Sequence, residues 1–382
     1  LSKQEIFTPV IFGRHLKISL PSPMPAYYHT LVEELEIYNS QVVQDYDVEV
    51  YFTEESRLSP ALTINPKTHQ ETENGFKFLS RIGWTEFRFE AGSLKQIWIA
   101  PQFPKPGWSR EWDRWRSIQY TTPDQEFGQC FHELVLAPMA MLHSDSLLLH
   151  ASATFRPSTR RCILVGGTGG VGKTTAILNL CRNNKDFVFM ADDISVLSAS
   201  QRAVWPHLAY PKIYAYNLGS DVFADHLLTK GLLDRIQWTL KVKAGGLANA
   251  RRRLNPKLVY QVDNQVSPTL TDYVLLSRHA HNEFRVASLN PAQAVDLSLD
   301  IMRIEMQAFA NHLIWHEYNS KLLGREPKLS LASVFQRWQE QLTRVFQAVG
   351  LWSVSIPISA PHQQAADYIS KYLSDLSTDE ID

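Results

Sequence analysis

The pattern of apolar and polar positions is organised around one stretch, Cys162 to Val196. Cys162 to Val165 is a short apolar run that predicts a buried strand, and Thr175 to Cys181 is an apolar stretch that opens a helix. Phe187 to Ala191 is a second run of the strand kind. Strand, loop, helix and strand in this order predict a βαβ unit with adjacent parallel strands.

The flanks read by the same rules. Val10 to Leu20 and Asp47 to Thr53 predict strands, the second from the alternation of Val48, Val50 and Phe52. Thr85 to Pro101 predicts a hairpin that turns at Ala91-Gly92-Ser93. Trp108, Trp112 and Trp115 fall near helical spacing in the connection from Pro101 to Trp115. They read as a packing or domain contact, with a substrate platform as the alternative. Pro123 to His143 predicts a helix striped by Phe127, Phe131, Leu134 and Leu142, with a kink at Pro138. Leu147 to Phe155 predicts a strand that carries His150.

Beyond the central stretch, Ile194 to Ser198 is strand-like, Ser220 to Leu240 is helical in pattern, and Lys241 to Arg253 reads as a basic loop around Gly245-Gly246. Strands are expected over Leu258 to Val262, Thr271 to Leu276 and Phe284 to Leu289. Helices are expected over Pro291 to Leu323, Leu331 to Val349 and Pro361 to Leu376, with a strand over Leu351 to Ile358 and a frayed tail from Ser377. The whole predicts an α/β chain in three segments. These are an α+β module over 1–145, a central domain over 146–290 and a mostly helical extension over 291–382. The first would supply specificity or partner binding and no catalytic side chain.

Composition narrows the class. The net charge of −1 gives no electrostatic ground for binding nucleic acid or an anionic membrane. Cys130, Cys162 and Cys181 are an odd number without metal spacing, which points to a reducing, cytoplasmic setting. No apolar run approaches the ~20 residues of a membrane span. Leu1 to Val10 lacks a signal-peptide core.

The candidate chemistry sits in Gly167-Thr168-Gly169-Gly170-Val171-Gly172-Lys173-Thr174, which fits the P-loop pattern GxxxxGK[ST], followed by Thr175. Glycines let backbone N–H groups approach a polyphosphate, and the following helix presents its positive dipole end. Lys173 would reach the β/γ-phosphates and Thr174 would ligate Mg²⁺. Asp192 follows Lys173 by 19 residues, which sets Asp192 and Asp193 at a strand end where α/β sheets bind ligands. One carboxylate can hold metal while the other accepts a hydroxyl proton. Tyr210, Tyr214 and Tyr216 are candidates for an adenine or acceptor pocket or for packing. Arg251, Arg252 and Arg253 are candidates for a phosphate or acceptor clamp.

Leu147-Leu148-Leu149-His150-Ala151-Ser152, the P-loop and Met190-Ala191-Asp192-Asp193 together resemble the kinase domain of the HPr kinase/phosphorylase family, whose P-loop fold is shared with phosphoenolpyruvate carboxykinases. The resemblance runs to about Leu289, a little over a third of the chain. It implies Asp193 as base, His150 and Lys173 in the active site, and Thr174 with Asp192 on the metal. The family's glycine- and arginine-rich signature is matched only by Gly245-Gly246 and the following arginines, and its metal-binding glutamate has no clear counterpart. The comparison therefore points to HPr kinase-like proteins that phosphorylate other serines or small hydroxyl compounds.

The expectation is an ATP- and Mg²⁺-dependent kinase of HPr kinase/carboxykinase type, acting on the hydroxyl of a peptide, protein or small molecule. The alternatives are a nucleotide-dependent switch or assembly ATPase, and a carboxykinase-like metabolic enzyme. GTP or pyrophosphate as donor, and oligomerisation, stay open.

Overall fold

The computed structural model describes residues 4–102, 123–218, 231–247 and 249–378. The tryptophan-bearing connection, the first half of the helix expected over Ser220 to Leu240 and the end of the tail lie outside the described residues.

The N-terminal strands are β1 (Gln4–Phe7), β2 (Val10–Ile11), β3 (Arg14–Pro21), β4 (Val48–Phe52), β5 (Thr63–Ile64), β6 (His69–Glu71), β7 (Gly75–Ser80), β8 (Gly83–Glu90) and β9 (Ser93–Pro101). They form one mixed sheet in the order β1-β3-β4-β9-β8-β7-β6-β5, with β2 paired to β3. The single strand expected over Val10 to Leu20 is a hairpin. Phe12 and Gly13 take φ 54° and 68°, and two successive left-handed residues close a tight turn that follows the strand twist. Phe12 gives no turn signal in sequence. Gly13 is required, because a Cβ there would lie 2.5 Å from the Trp205 ring.

Helix α1 (His29–Leu35) packs on α2 (Pro123–Phe131), which continues through a π-helical turn, His132–Leu136, into α3 (Ala137–Leu142). Pro138 has no N–H to donate. The register widens just before it, and Ala137 N–H bonds His132 O five residues back. The expected kink takes this form. Such turns recur at functional sites because they re-aim side chains.

The remaining strands are β10 (Ser146–Leu149), β11 (Ala151–Arg156), β12 (Arg161–Gly166), β13 (Val188–Ala191), β14 (Ser195–Ser198), β15 (Val204–Trp205), β16 (Lys212–Tyr214), β17 (Arg251–Arg253), β18 (Asp272–His279), β19 (Arg285–Ser288) and β20 (Gly350–Pro357). A mixed sheet runs β13-β11-β12-β18-β20-β19, a small one runs β10-β14-β15, and β16 pairs with β17. Two expectations need correction here. β13 is not adjacent to β12, because β11 lies between them and is antiparallel to both. The strand expected over Leu147 to Phe155 breaks at His150, where the chain passes from the small sheet into the larger one.

The helices are α4 (Lys173–Asn183), α5 (Leu232–Gly245), α6 (Pro256–Val259), α7 (Pro291–Glu305), α8 (Gln307–Leu322), α9 (Leu331–Phe346) and α10 (His362–Leu376). The basic loop expected over Lys241 to Arg253 is instead the end of α5, a turn and β17. The strand expected over Leu258 to Val262 starts as the end of α6, and of the rest only Val262 forms a β-bridge, parallel to Phe189. Asn255 caps that helix by accepting from Lys257 N, and Pro256 takes the first turn. Asn290 with Pro291 begins α7 in the same way, and the Ser330 side chain caps α9.

The architecture is mixed α/β. One apolar cluster extends from Ile11 through Phe131 and Leu164 to Leu373, so the core does not break near residue 145. Among the described residues no helix is long and apolar enough to cross a membrane. Trp338 of α9 is fully buried, and its Nε1–H donates to Ser146 O at 3.3 Å. Trp338→Ala is expected to destabilise the whole chain by ~3–5 kcal/mol, read from urea unfolding. A loss under ~1 kcal/mol would detach α9 from the common core.

Candidate active site

The loop between β12 and α4 is shaped by its glycines. Gly167 has φ 139°, and a Cβ on it would sit 2.7 Å from Leu276 O, so neither its angle nor its neighbour tolerates a side chain. Gly172 has φ 114° and turns the chain into α4, leaving the first N–H groups of that helix directed at the loop. Val171 packs into the core, while Gly169, Gly170, Gly172, Lys173, Thr174 and Thr175 line a cavity of about 460 Å³. That volume suits a small-molecule site.

Lys173 is 4% exposed, and its Nζ donates to Gly167 O at 2.7 Å and Thr168 O at 3.1 Å. Burial lowers its pKa, and the nearby Asp193, Asp192 and Glu305 work against that shift. The Thr174 hydroxyl donates to Asp192 Oδ1 at 2.8 Å, and Ser152 of β11 donates to the same oxygen at 2.8 Å. Asp192 Oδ2 is buried without a hydrogen-bond partner. Burial and the neighbouring Asp193 push the Asp192 carboxyl up to about 6. A buried carboxylate oxygen lacking a donor beside a threonine hydroxyl fits a hard cation. Among the described residues no group of three or more His, Cys, Asp or Glu is placed to hold a metal. Thr174 and Asp192 could hold Mg²⁺ only if other oxygens, from phosphate or water, completed its coordination.

Asp193 has φ 62°, and its Oδ2 accepts from Lys212 Nζ at 2.9 Å. Burial opposes its charge, yet Lys212, His150 and Arg253 hold the carboxyl well below the ordinary carboxylate range. The pair is therefore split. Asp192 is pushed toward the neutral acid and Asp193 is held ionised, and such a split separates roles.

His150 also lines the cavity. Burial and the Lys173 charge push it down to about 4, so the ring is neutral at pH 7. Its Nε2 lies 3.8 Å from Glu305 and makes no hydrogen bond among the described residues.

The arginine run resolves by strand parity. β17 pairs with β16 in the register Lys212↔Arg253, Ile213↔Arg252 and Tyr214↔Arg251. Arg251 reaches the cavity wall and bonds Tyr214 Oη at 3.3 Å. Arg252 points to the other face, where Asp234 pairs with it and its guanidinium lies 5.3 Å from the Trp238 ring centroid. Arg252 is thus removed from the clamp expected in sequence. Arg253 is buried behind Asp193 and donates to Tyr210 O at 2.8 Å. Tyr214 and Tyr216 stack on each other, and Tyr216 stacks on His362. With Arg251 over Tyr214, their faces are largely covered, so they form a packed wall and meet the cavity by their edges. Tyr210 is buried away from it.

Three charged cavity residues had no signal in sequence. Lys212 lies in a strand read only for its tyrosines. Glu133, carried by the π-helical turn, brings the first 145 residues to the cavity wall, where they were expected to supply specificity and no catalytic side chain. Glu305 ends α7, and its Oε1 accepts from Gly169 N–H at 2.9 Å across 136 residues of sequence.

A scan against protein-family models returns no match, and a search of curated proteins returns none.

Gly169 N–H is an anion donor whose acceptor is a carboxylate, so an incoming phosphate must compete with Glu305. Glu305→Gln is expected to tighten pyrophosphate binding about tenfold, equivalent to ~1.4 kcal/mol, in calorimetric titration. Weaker binding in the variant would mean that Glu305 supports the anion site instead.

Proposed function

We propose that the chain is an ATP- and Mg²⁺-dependent phosphotransferase of the HPr kinase-like kind, acting on the hydroxyl of a peptide, protein or small molecule. The observation that carries this reading is the junction of P-loop and aspartate pair. Thr174 bonds the buried Asp192, and the ionised Asp193 stands beside it on the cavity wall. The residues behind the resemblance in sequence, His150, Lys173, Thr174, Asp192 and Asp193, converge on this one region.

The chemistry follows from charge and reach. Backbone N–H groups at Gly169 to Gly172 and the N-terminus of α4 cradle the β- and γ-phosphates of the donor. Lys173 exchanges its contacts with the loop carbonyls for phosphate oxygens. Thr174 and Asp192 would hold Mg²⁺, which when bound offsets charge on the phosphates. The acceptor oxygen forms a bond to the γ-phosphorus, the bond to the β–γ bridging oxygen breaks, and the acceptor proton passes to Asp193. A carboxylate held this low is a weak base. That suffices because the transition state of phosphoryl transfer is loose, so the acceptor needs orientation more than early deprotonation. Lys212 keeps Asp193 ionised and, with Arg251, offsets charge on the transferring group. His150, neutral, can donate or accept a hydrogen bond within the cavity.

Two variants and one product test the reading. Transfer adds one phosphoryl group, a gain of ~80 Da on the acceptor in mass spectrometry. Lys173→Ala is expected to abolish nucleotide binding or turnover while leaving the unfolding midpoint unchanged. Asp193→Asn keeps the shape and accepts no proton, so ATP·Mg²⁺ binding should stay within a few-fold while transfer falls ~10²-fold or more. ADP release at the same rate with and without acceptors would favour a nucleotide-dependent switch or ATPase and sink the kinase reading.

A further inference from the structure

Asp193 is the middle residue of a three-residue turn. Ile194 N–H bonds Asp192 O at 2.7 Å across it, and φ at Asp193 is 62°. Turns of this hand are rare and strained, and they persist where the surroundings over-determine them. The exit of this turn is tied down, because His207 Nδ1 bonds Ile194 O at 2.8 Å. His207 is itself fixed at the end of β13, where its N–H donates to Met190 O at 2.8 Å.

Behind His207 the contacts continue into the first 145 residues. His207 Nε2 lies 3.2 Å from His132 Nδ1, at the start of the π-helical turn. His132 Nε2 lies 3.2 Å from Glu34 Oε2 on α1. Glu34, His132 and His207 are each 3% exposed or less. Gly128 of α2 makes room for the Glu34 carboxyl, since a Cβ there would sit 2.6 Å from it. Phe12 meets the His207 ring edge-on, and Leu208 N–H donates to Tyr38 Oη at 2.9 Å.

The polarity of this chain can be read from its far end. A carbonyl only accepts, so His207 Nδ1 carries a proton. In a neutral ring Nε2 then accepts, and His132 Nδ1 must be the donor. His132 Nε2 is left facing Glu34 Oε2 at 3.2 Å with one proton for the two, and Glu34 Oε2 meets no aligned donor, so a ring N–H does not serve it. Keeping that proton on Glu34 leaves both partners neutral and avoids desolvating two charges. Arg253 and Glu133 flank His132, and Glu33 and Asp124 flank Glu34. Burial raises the Glu34 carboxyl well above its usual range and pushes both histidines down to about 3, in keeping with the neutral arrangement.

We infer that Glu34, as a neutral acid, is a positioning residue for Asp193, acting through His132 and His207 to hold the Asp192–Ile194 turn. The inference rests on the phosphotransfer reading for what the turn is used for, and on geometry alone for the chain itself.

The test uses the full chain with ¹⁵N-labelled histidine. Both rings should appear as neutral Nδ1–H tautomers from about pH 5 to 8, the window in which free imidazole would charge. Glutamine supplies an uncharged donor in place of the acid, so Glu34→Gln should keep both tautomers and hold kcat within about threefold. Glu34→Ala should lower kcat ~10²-fold, the scale of a misplaced catalytic group, with the KM for ATP·Mg²⁺ nearly unchanged. If Glu34→Ala does not fold, Glu34→Gln decides alone, because an ion pair between Glu34 and His132 would not survive it. A doubly protonated His132 at neutral pH, a Glu34→Gln variant as impaired as Glu34→Ala, or a folded Glu34→Ala variant with normal kcat would overturn the inference. If the wild-type chain phosphorylates no acceptor, the phosphotransfer reading fails separately. The tautomers then still decide on the chain of contacts, and kcat is read from ATP hydrolysis.

Discussion

The site depends on one buried oxygen. Asp192 Oδ1 accepts from Thr174 at the start of α4 and from Ser152 in β11. Three segments are thereby fixed to one another: the glycine-rich loop, the strand that follows His150, and the turn that presents Asp193. A carboxylate in that position is costly to ionise, because burial and Asp193 both oppose its charge. Two hydroxyl donors offset part of that penalty, and the second oxygen is left without a partner. The arrangement is therefore incompletely satisfied where a cation would meet it, and an incompletely satisfied buried polar group marks function more than stability.

Next to this lies a deliberate asymmetry of charge. Lys173 and Lys212 enter the same region as two adjacent carboxylates, and each cation meets a different carboxylate environment. Lys212 forms a direct ion pair with Asp193, while Lys173 is held by loop carbonyls. Neighbouring residues thus acquire opposite tendencies with no change in side-chain type. Environment sets the roles, through burial on one side and a paired ammonium on the other.

How much of this was legible in the sequence follows from the range of each interaction. The glycine-rich loop and its lysine are local, so their spacing reports them directly. The aspartate pair was legible as a strand end, but its neighbour in the sheet was not. Parallel pairing was inferred from the shortest crossover, and nothing local signals that β11 inserts between β13 and β12. Arg251, Arg252 and Arg253 looked equivalent because charge was visible and strand parity was not. Once β17 is a strand, alternate arginines face opposite ways, and Asp234 with Trp238 takes the middle one. Glu305 is the hardest case. It lies 136 residues from Gly169 in sequence and falls inside the one helical stretch expected over Pro291 to Leu323.

The first 145 residues meet the cavity through one side chain, Glu133. Their own sheet has no phosphate loop, and sequence pattern alone sets them apart from the rest of the chain. Yet the π-helical turn ahead of Pro138 carries both His132 and Glu133. Glu133 then reaches the cavity wall, while His132 faces inward to Glu34 and His207. The turn at Asp193 is strained, and a strained turn keeps its shape only where packing from several directions removes the alternatives.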